Sequence, residues 1–360
     1  MSRRAEAFPS RTRNAPVTPP EQCLVARAAT PYRQLMPSGD GSLLHSPRPV
    51  VSAIVVTWRS ADDLRSCLGA LASEADAGIP LEAVVVDCAG GDRSADIARE
   101  CGAAVVVEPG MNLGFARAVN AALPHCRGRL TLLLNPDVEI SPGSLAACVR
   151  ALDEDPLIGL VGCDLRRPDG SIDPPAARRA RRPVHMWAET LGVTRLSPRL
   201  DVQFLSEAQR SASRDVEAVN GAFMLLPTDL LRSLGGLDDT VFMYLEDMEL
   251  CRRLRARGLR IRFVREARAT HLGGASAARA EPQRQALIYQ HRADADIEFA
   301  RRVGGEWSRA SALLAYGARG LAGYLMGAAL RRPVQRGKYR DLLRWLVRQV
   351  PHRTAPRPVL

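Results

Sequence analysis

The stretch "VVSAIVVTWRSADDLRSCLGAL", residues 50–71, joins the two patterns that decide the fold. It opens with a continuous run of apolar and β-branched residues, which is typical of a strand buried on both faces. Behind a capping Ser60, apolar residues recur at helical spacing from Leu64 to Leu71, and this predicts an amphipathic helix. A buried strand followed at once by a helix is the repeating unit of α/β proteins.

The alternation of strand and helix continues to residue 137. Three more apolar runs predict strands ("LEAVVVDC", "AAVVVEP" and "RLTLLLNPD"), and two helical patterns separate them ("SADIAREC" and "GFARAVNAALPHC"). Such short alternating units predict a parallel sheet with right-handed crossovers. Ligands of these sheets bind beyond the carboxyl ends of the strands. The residues that the sequence places there are Thr57, Asp87, Glu108 and the "NPD" of 135–137.

The pattern weakens over 151–215 and then returns. "VEAVNGAFMLLP" (216–227) predicts a strand, and "LRIRFVREARATH" (259–271) alternates like a half-exposed strand. Helical patterns dominate the remainder, and 339–350 has an apolar stripe beside an arginine stripe, which is typical of a basic amphipathic helix. Residues 312–330 are fairly apolar but contain an arginine and four glycines, so we predict no membrane-spanning helix there.

The charge of the chain comes almost entirely from arginine. The net charge is +11, and Lys338 is the only lysine among 360 residues. Arginine suits phosphate, diphosphate and anionic lipid headgroups. Aromatic residues are scarce and no nucleic-acid-binding motif occurs, so we predict no nucleic-acid partner. The eight cysteines show no paired spacing, and we expect them to be reduced in a cytoplasmic protein.

Composition also predicts the domain boundaries. Residues 1–48 are rich in Pro, Arg, Ser and Ala and lack an apolar leader, so we expect a disordered arm and no signal peptide. We expect an α/β domain over 49–280, a helical region over 281–350 and a flexible tail over 351–360.

Polar residues at the predicted strand ends are the first candidates for a site. Asp87 and Asp92 could accept hydrogen bonds from a base or ribose, but the same residues also make ordinary turns, and the two interpretations are about equal. Asn112 and Gly114 begin a helix whose N-terminus could meet an anion, although a simple helix cap explains them better. Asp137 after "LLLNP" could hold a hard cation that bridges a diphosphate, and we place this modestly ahead of a plain turn.

A second group of candidates lies near residue 247. Glu246, Asp247 and Glu249 follow an apolar lead-in, so one of them could have a raised pKa and act as a base. Acidic residues also favour a helix N-terminus without any chemistry. His271 ends a predicted strand, and a lone histidine is more often structural than a ligand.

The order and spacing of these pieces resemble one known family. Over about residues 50–300 the chain resembles the inverting family 2 glycosyltransferases of GT-A fold, most closely their bacterial rhamnosyl- and galactofuranosyltransferase-like branch. The resemblance is carried by "VTWRSADDLRSCLGAL", "VVVDCAGGD", "NLGFARAVN", "LLLNPDVEI", "PDGSIDPPAARR", "VNGAFMLLP", "GGLDDTVFMYLEDMELCRRLRARG" and "HLGGAS". It implies a Rossmann-like, mixed but mainly parallel sheet flanked by helices, with helices at the C-terminus.

The resemblance implies a donor side and a metal. The residues it assigns to the nucleotide and its phosphates are Thr57, Asp87, Asp92, Asn112, Gly114, Arg117 and Asn135. Asp137 matches the last acid of the family's metal motif, His271 matches a metal or diphosphate ligand, and the implied cofactor is Mg²⁺ or Mn²⁺. Asn135 stands where a strict motif has a first acid.

The resemblance also implies an acceptor side and a base. Asp247 matches the general base, and Glu246 beside it would orient the acceptor. Gly221, Ala222 and Tyr244 match the acceptor side of the family's site. Three positions depart from the usual pattern of the nucleotide pocket (Cys88, Gly90 and Arg93), which puts the details of base recognition in question.

The implied reaction is a single displacement with inversion from a UDP- or dTDP-sugar to a saccharide or polyprenyl-linked acceptor in the synthesis of cell-surface polysaccharide or glycolipid. The helix at 339–350 would then rest on the inner face of the plasma membrane, with ordinary packing as a nearly equal alternative. A non-catalytic nucleotide-sugar-binding protein is the alternative function. A Rossmann dehydrogenase is disfavoured because no GxGxxG follows the first strand.

Overall fold

The strand predicted at 50–58 is present and lies inside a mixed sheet. A computed structural model of the chain describes residues 49–173, 176–195, 210–240, 243–272 and 282–349. The predicted arm and tail lie outside the described residues.

The described strands and helices follow the predicted alternation up to residue 137. The strands are β1 (Val51–Thr57), β2 (Leu81–Asp87), β3 (Val105–Val107), β4 (Leu130–Leu134), β5 (Val138–Ile140), β6 (Ile158–Arg166), β7 (Ala177–Arg178), β8 (Arg214–Val216), β9 (Ala218–Val219), β10 (Phe223–Pro227) and β11 (Arg260–His271). The helices are α1 (Ala61–Asp76), α2 (Ser94–Glu100), α3 (Phe115–Ala122), α4 (Ser144–Glu154), α5 (Pro183–Thr190), α6 (Thr228–Ser233), α7 (Glu246–Ala256), α8 (Pro282–Ala329) and α9 (Pro333–Gln349).

Strand order in the main sheet is β3-β2-β1-β4-β10-β6-β11-β5, and β8 pairs with β11. The first four strands are parallel, as predicted. β10 is antiparallel to both of its neighbours, β4 and β6. The single strand predicted over 216–227 is wrong in one respect: a turn at Asn220–Ala222 breaks it and lets its second part enter the sheet as β10.

Two apolar layers cover the faces of the sheet. Val55 points into the layer built with α1 and α4, whereas its neighbour Ile54 points into the layer built with α3, α6 and α7. Both side chains are almost completely buried. Because each face of β1 is covered, both faces are mainly apolar, which explains the apolar run in the sequence. The two polar residues of β1, Ser52 and Thr57, are buried and hydrogen-bonded.

The C-terminal helices pack on each other and on α5. α8 bends where Gly304 and Gly305 leave helical geometry. Leu342 and Leu346 of α9 are buried against α8, whereas Val347 is 71% exposed. In the described part of the chain, none of the helices is both long and apolar enough to cross a bilayer.

Candidate active site

The carboxyl ends of β1 and β2 lie side by side, with Thr57 and Asp87 as register partners. Both residues are buried. Thr57 Oγ1 donates to Ser94 Oγ at 3.2 Å, and Asp87 Oδ1 accepts the Gly90 N–H at 3.5 Å. Burial raises the pKa of Asp87, and the hydrogen bond from Gly90 opposes that rise. A carboxylate has about four acceptor positions, so Asp87 retains capacity for a ligand hydroxyl or amide.

Asp92 joins the starts of two helices. Its two carboxylate oxygens accept the backbone N–H groups of Ala61 and Ser94, each at 3.1 Å. Partial burial acts to raise the pKa of Asp92, but hydrogen bonds from Ser94 and Ala61 outweigh burial and lower it. Asp92 therefore fixes the loop after β2 against α1. Its predicted contact with a donor stays a prediction.

The segment from Asn112 to Arg117 forms a tight entry into α3. Gly114 has a φ of 75°, a conformation that favours glycine, and its N–H donates to Asn112 Oδ1 at 3.0 Å. Arg117 lies on the surface, with its Nε 3.8 Å from Asp239 Oδ2. To reach a donor phosphate, the Arg117 side chain would have to leave Asp239.

Asp137 follows β4 and lies beside the end of β11. Its carbonyl accepts the Leu272 N–H at 2.9 Å, and its carboxylate Oδ1 is 3.4 Å from His271 Nε2. The other ring nitrogen of His271, Nδ1, is 2.7 Å from Asp173 Oδ2. Burial acts to lower the pKa of His271, but hydrogen bonds and charges from Asp137 and Asp173 raise it to about 9. The two carboxylates thus favour the protonated ring, and Nε2 must lose its proton before it can bind a metal ion.

These residues suit a divalent ion that is also held by phosphate. Within the described ranges, no group of three or more His, Cys, Asp or Glu side chains is arranged around a common metal position. Asp137 Oδ1 and His271 Nε2 lie 3.4 Å apart and could both contact one ion, since Mg²⁺ usually takes one or two protein carboxylates plus substrate phosphates and water. Asp173 contacts the opposite ring nitrogen, where carboxylates commonly orient a metal-binding histidine.

Asp247 lies in the first turn of α7, behind two residues with unusual backbone geometry. Tyr244 and Leu245 have φ values of 74° and 64°, which non-glycine residues rarely adopt. Asp247 Oδ2 accepts the Gly221 N–H at 2.8 Å and also pairs with the Arg178 guanidinium. This buried carboxylate is therefore fixed by backbone and side-chain contacts from outside its own helix.

The two other acids near Asp247 have different surroundings. Burial, and then the charge of Asp247, raise the pKa of Glu246 to about 8. Its Oε2 is buried and has no hydrogen-bond partner among the described residues. Glu249 pairs with Arg252 and Arg253 of its own helix, at 2.9 and 2.6 Å. Glu249 is therefore a buried acid that two arginines of its own helix neutralise.

Backbone contacts join the Asp137 and Asp247 regions. The Asn135 N–H donates to the Ala222 carbonyl at 3.1 Å. Asn135 is two residues before Asp137, and Ala222 follows Gly221, whose N–H holds Asp247. The two carboxylates, far apart in the chain, thus lie at one edge of the sheet.

The similarity to known proteins covers all the residues of this candidate site. Residues 47–290, more than half of the chain, match the family model described as "Glycosyltransferase like family 2". The chain belongs to glycosyltransferase family 2. The predicted transferase is thereby confirmed over the other classes of protein considered, and so is the GT-A fold with its mixed sheet.

Curated relatives and solved structures resemble this glycosyltransferase over much of its length. Two proteins of Mycobacterium tuberculosis, from strains CDC 1551 / Oshkosh and ATCC 25618 / H37Rv, are named N-acetylglucosaminyl-diphospho-decaprenol L-rhamnosyltransferase. Each is 28% identical over 244 residues, which is 65% of this chain and 78% of the relative. The mannosyltransferase PcManGT from Pyrobaculum calidifontis, in complex with GDP-Man and Mn²⁺, has a TM-score of 0.49 and 21% identity, covering 92% of this chain and 95% of its own. S. aureus TarS 1–349 with UDP-GlcNAc has a TM-score of 0.46 and 15% identity, covering 84% and 93%.

The structure of the glycosyltransferase brings several predicted residues together in pairs: Thr57 with Asp87, Asn135 with Ala222, Asp137 with His271, and Gly221 with Asp247. Tyr244 is half-buried and contributes strained backbone rather than a resolved side-chain contact. Sequence reasoning gave no role to Asp173 or Arg178. Both residues lie in the "PDGSIDPPAARR" block, and its charged residues are the sequence feature that could have indicated a functional role.

Replacing Glu246 tests its raised pKa. Folded Glu246 holds its proton up to a pKa of about 8, whereas in the unfolded chain it releases the proton near about 4.3. The folded state binds the extra proton between these values, so stability falls as pH rises. Glu246→Gln removes this titration while keeping the size of the side chain.

The measured quantity is the free energy of unfolding of the wild type minus that of Glu246→Gln. We expect this difference to fall by at least about 1 kcal/mol when the pH rises from about 5.5 to about 8.5. Urea unfolding at both pH values measures it. Glu306→Gln is the control, because that side chain is 59% exposed, and its difference from wild type should not depend on pH. Parallel pH curves for wild type and Glu246→Gln would contradict the assignment.

Proposed function

We propose that this glycosyltransferase moves a rhamnose- or galactofuranose-like sugar, with inversion, from a UDP- or dTDP-linked donor to a saccharide on a polyprenyl-linked acceptor. One observation carries the proposal: the Asp137–His271 pair and the Asp247 carboxylate, from distant parts of the chain, are joined through Asn135, Ala222 and Gly221. The name of the relatives, N-acetylglucosaminyl-diphospho-decaprenol L-rhamnosyltransferase, supports the choice of sugar and acceptor.

Asp247 is the proposed general base. Gly221 and Arg178 hold its carboxylate in place, so it can accept a proton from the acceptor hydroxyl as that oxygen attacks the anomeric carbon. Glu246, with one covered and unpaired oxygen, is proposed to orient the acceptor. Gly221, Ala222 and Tyr244 would form the acceptor side. Attack from the face opposite the leaving diphosphate produces inversion.

Asp137 and His271 are the proposed ligands of Mg²⁺ or Mn²⁺. Such an ion, when bound, supplies positive charge that neutralises the leaving diphosphate. Asp173 would position His271 by holding its Nδ1. Thr57 and Asp87 are proposed to contact the nucleoside. The residues proposed to lie near the phosphates are Asp92, Asn112, Gly114, Arg117 and Asn135.

Asp247→Asn tests the base. The amide oxygen can still accept the Gly221 N–H, so folding should survive, but the amide cannot take a proton. General base catalysis contributes about 10²- to 10⁴-fold, and we expect transfer to fall by about that factor while the dissociation constant of the nucleotide stays within about threefold.

Product formation and nucleotide binding are measured on the same preparations. Asp229→Asn is the matched control, because its carboxylate is 70% exposed on α6, and it should keep wild-type transfer. Near-normal turnover of Asp247→Asn would remove Asp247 from the role of base.

Asp137→Ala tests the metal position. In the wild type, Mn²⁺ should strengthen UDP or dTDP binding about tenfold or more, because the ion links protein and phosphate. In Asp137→Ala this gain should disappear. Titration of each nucleotide with and without Mn²⁺ measures it, with Asp153→Ala, a 51% exposed surface acid, as control. An unchanged Mn²⁺ effect in Asp137→Ala would count against the site.

A polyprenyl-linked acceptor requires access to a membrane, and we propose that α8 provides it. The α9 stripe assigned to this role from sequence is partly buried, because Leu342 and Leu346 pack against α8. A different apolar face is exposed. Its large side chains recur every seven or four residues on one side of α8: Trp307, Leu314, Leu321 and Leu325, exposed by 89, 65, 53 and 57%.

Several exposed arginines come directly after α8 in the sequence. The exposed ones are Arg331, Arg332, Arg336, Arg340, Arg344 and Arg348. An apolar face beside basic residues suits an anionic bilayer surface, since burial of apolar area and attraction to anionic lipid act together. The proposed location is therefore peripheral, on the cytoplasmic leaflet.

Two leucines of matched exposure test this surface. Leu321 on α8 is 53% exposed and Leu157, before β6, is 52% exposed. Leu321→Glu should weaken binding to phosphatidylglycerol vesicles about tenfold, since burying one leucine contributes about 1.5–3 kcal/mol. Leu157→Glu should bind as wild type. Flotation with vesicles of increasing anionic content measures both, and equal flotation of the two variants would refute the proposal.

A further inference from the structure

A cavity lined by arginines lies behind Asp247. Its volume is about 500 Å³, and Arg178, Arg179, Arg182 and Arg214 line it together with His185. None of these residues has a role in the site described so far, apart from the contact of Arg178 with Asp247. Arg178 is the last residue of β7, Arg179 and Arg182 lie in the connection between β7 and α5, and Arg214 is the first residue of β8.

The lining also contains two acids, and arginines outside the cavity contact both of them, although Arg182 of the cavity also lies 3.9 Å from Glu217. Asp215 accepts from Arg260 at 3.2 Å and from Arg262 at 2.7 Å. Glu217 accepts the Ala180 N–H at 2.7 Å and lies 3.7 Å from Arg255. The charge of the lining therefore remains positive.

His185 reports the same excess of positive charge. His185 is buried in the first turn of α5. Its Nδ1 accepts the backbone N–H of Arg182 at 3.0 Å. Burial lowers the pKa of His185, and the positive charges of Arg181 and Arg182 lower it further. With His185 neutral, the four arginines of the lining still outnumber its two acids, Asp215 and Glu217.

Arg178 lines the cavity and also contacts the proposed base, Asp247. Its guanidinium pairs with Asp247 and donates to the Val219 carbonyl at 3.4 Å. Its Nε is buried and has no hydrogen-bond partner among the described residues. Because Arg178 lines the cavity and also pairs with Asp247, binding of an anion there would act on the side chain that holds Asp247.

We propose that this cavity binds the diphosphate of the acceptor, with Arg179, Arg182 and Arg214 contacting phosphate oxygens and Arg178 linking the bound anion to Asp247. Guanidinium forks bind phosphate through paired charge-assisted hydrogen bonds. The inference rests on the proposed function for the identity of the ligand, since the relatives are named for a diphosphate between saccharide and lipid. A donor carries a diphosphate too, so the experiments must separate the two sources.

The first experiment measures binding of inorganic pyrophosphate by calorimetry, in EDTA so that no metal takes part. The full-length wild type should bind it. The double variant Arg182→Gln/Arg214→Gln should bind at least about tenfold more weakly. The control Arg65→Gln/Arg129→Gln removes two surface arginines that are 56 and 40% exposed, and it should bind as wild type.

Asp137→Ala should also retain pyrophosphate binding in EDTA, because the cavity lies apart from the proposed metal ligands. Equal weakening in the cavity double variant and the control would overturn the proposal. Loss of binding in Asp137→Ala would overturn it as well, since the anion would then belong to the donor position. Circular dichroism and unfolding midpoints show that each variant is folded.

The second experiment compares two acceptors, the saccharide on a short isoprenyl diphosphate and the same saccharide as a methyl glycoside. The cavity double variant should raise KM about tenfold for the diphosphate acceptor only, with KM for the donor unchanged. A rise in donor KM, or equal rises for both acceptors, would refute the assignment. A wild type that binds pyrophosphate through the cavity but transfers no sugar would contradict the proposed function and leave the anion site standing.

Discussion

The antiparallel pairing of β10 with β4 is the constraint on which the site depends. Five register pairs join the two strands, from Phe223 opposite Leu134 to Pro227 opposite Leu130. Because β10 runs against β4, its amino end lies beside the carboxyl end of β4, and the turn at Gly221–Ala222 meets Asn135. A parallel strand in this place would put that turn at the opposite end of the sheet, about 16 Å away for five residues.

This pairing explains how two carboxylates more than a hundred residues apart can serve one reaction. The parallel strands bring the residues proposed to contact the nucleotide to their carboxyl ends, where α/β sheets bind ligands. The reversed strand adds a backbone N–H, from Gly221, that holds Asp247. β11 then returns parallel to β6 and delivers His271 beside Asp137. Each half of the site thus depends on strand direction rather than on nearness in sequence.

Strands and helices up to residue 137 could be predicted because local pattern suffices there. β1 is apolar on both faces since both faces are covered, and α1 shows its buried side as a helical repeat. The direction of β10 could not be predicted in this way. A strand buried on both faces has no alternation, and its composition is the same whichever way it runs. The break at Asn220 was hidden for the same reason.

The site shows the same division. The family resemblance proposes roles for Asp137, Asp247 and His271 by their positions in the sequence, but the partners of these residues come from tertiary contacts that no local pattern encodes. Asp173 meets His271 across 98 residues, and Arg178 meets Asp247 across 69. Glu246, Asp247 and Glu249 are equivalent as helix-start acids. Only the fold separates a buried acid with an unpaired oxygen from one that pairs with arginines.

The left-handed backbone at Tyr244 and Leu245 limits which residues can replace them during evolution. Each such residue costs about 1–2 kcal/mol compared with ordinary helix geometry, and β-branched side chains tolerate it worst. Valine, isoleucine and threonine should therefore be disfavoured at both positions. Glycine would relieve the strain but give up the apolar packing of Leu245. Natural substitution before α7 is thus confined to residues that are not branched at Cβ.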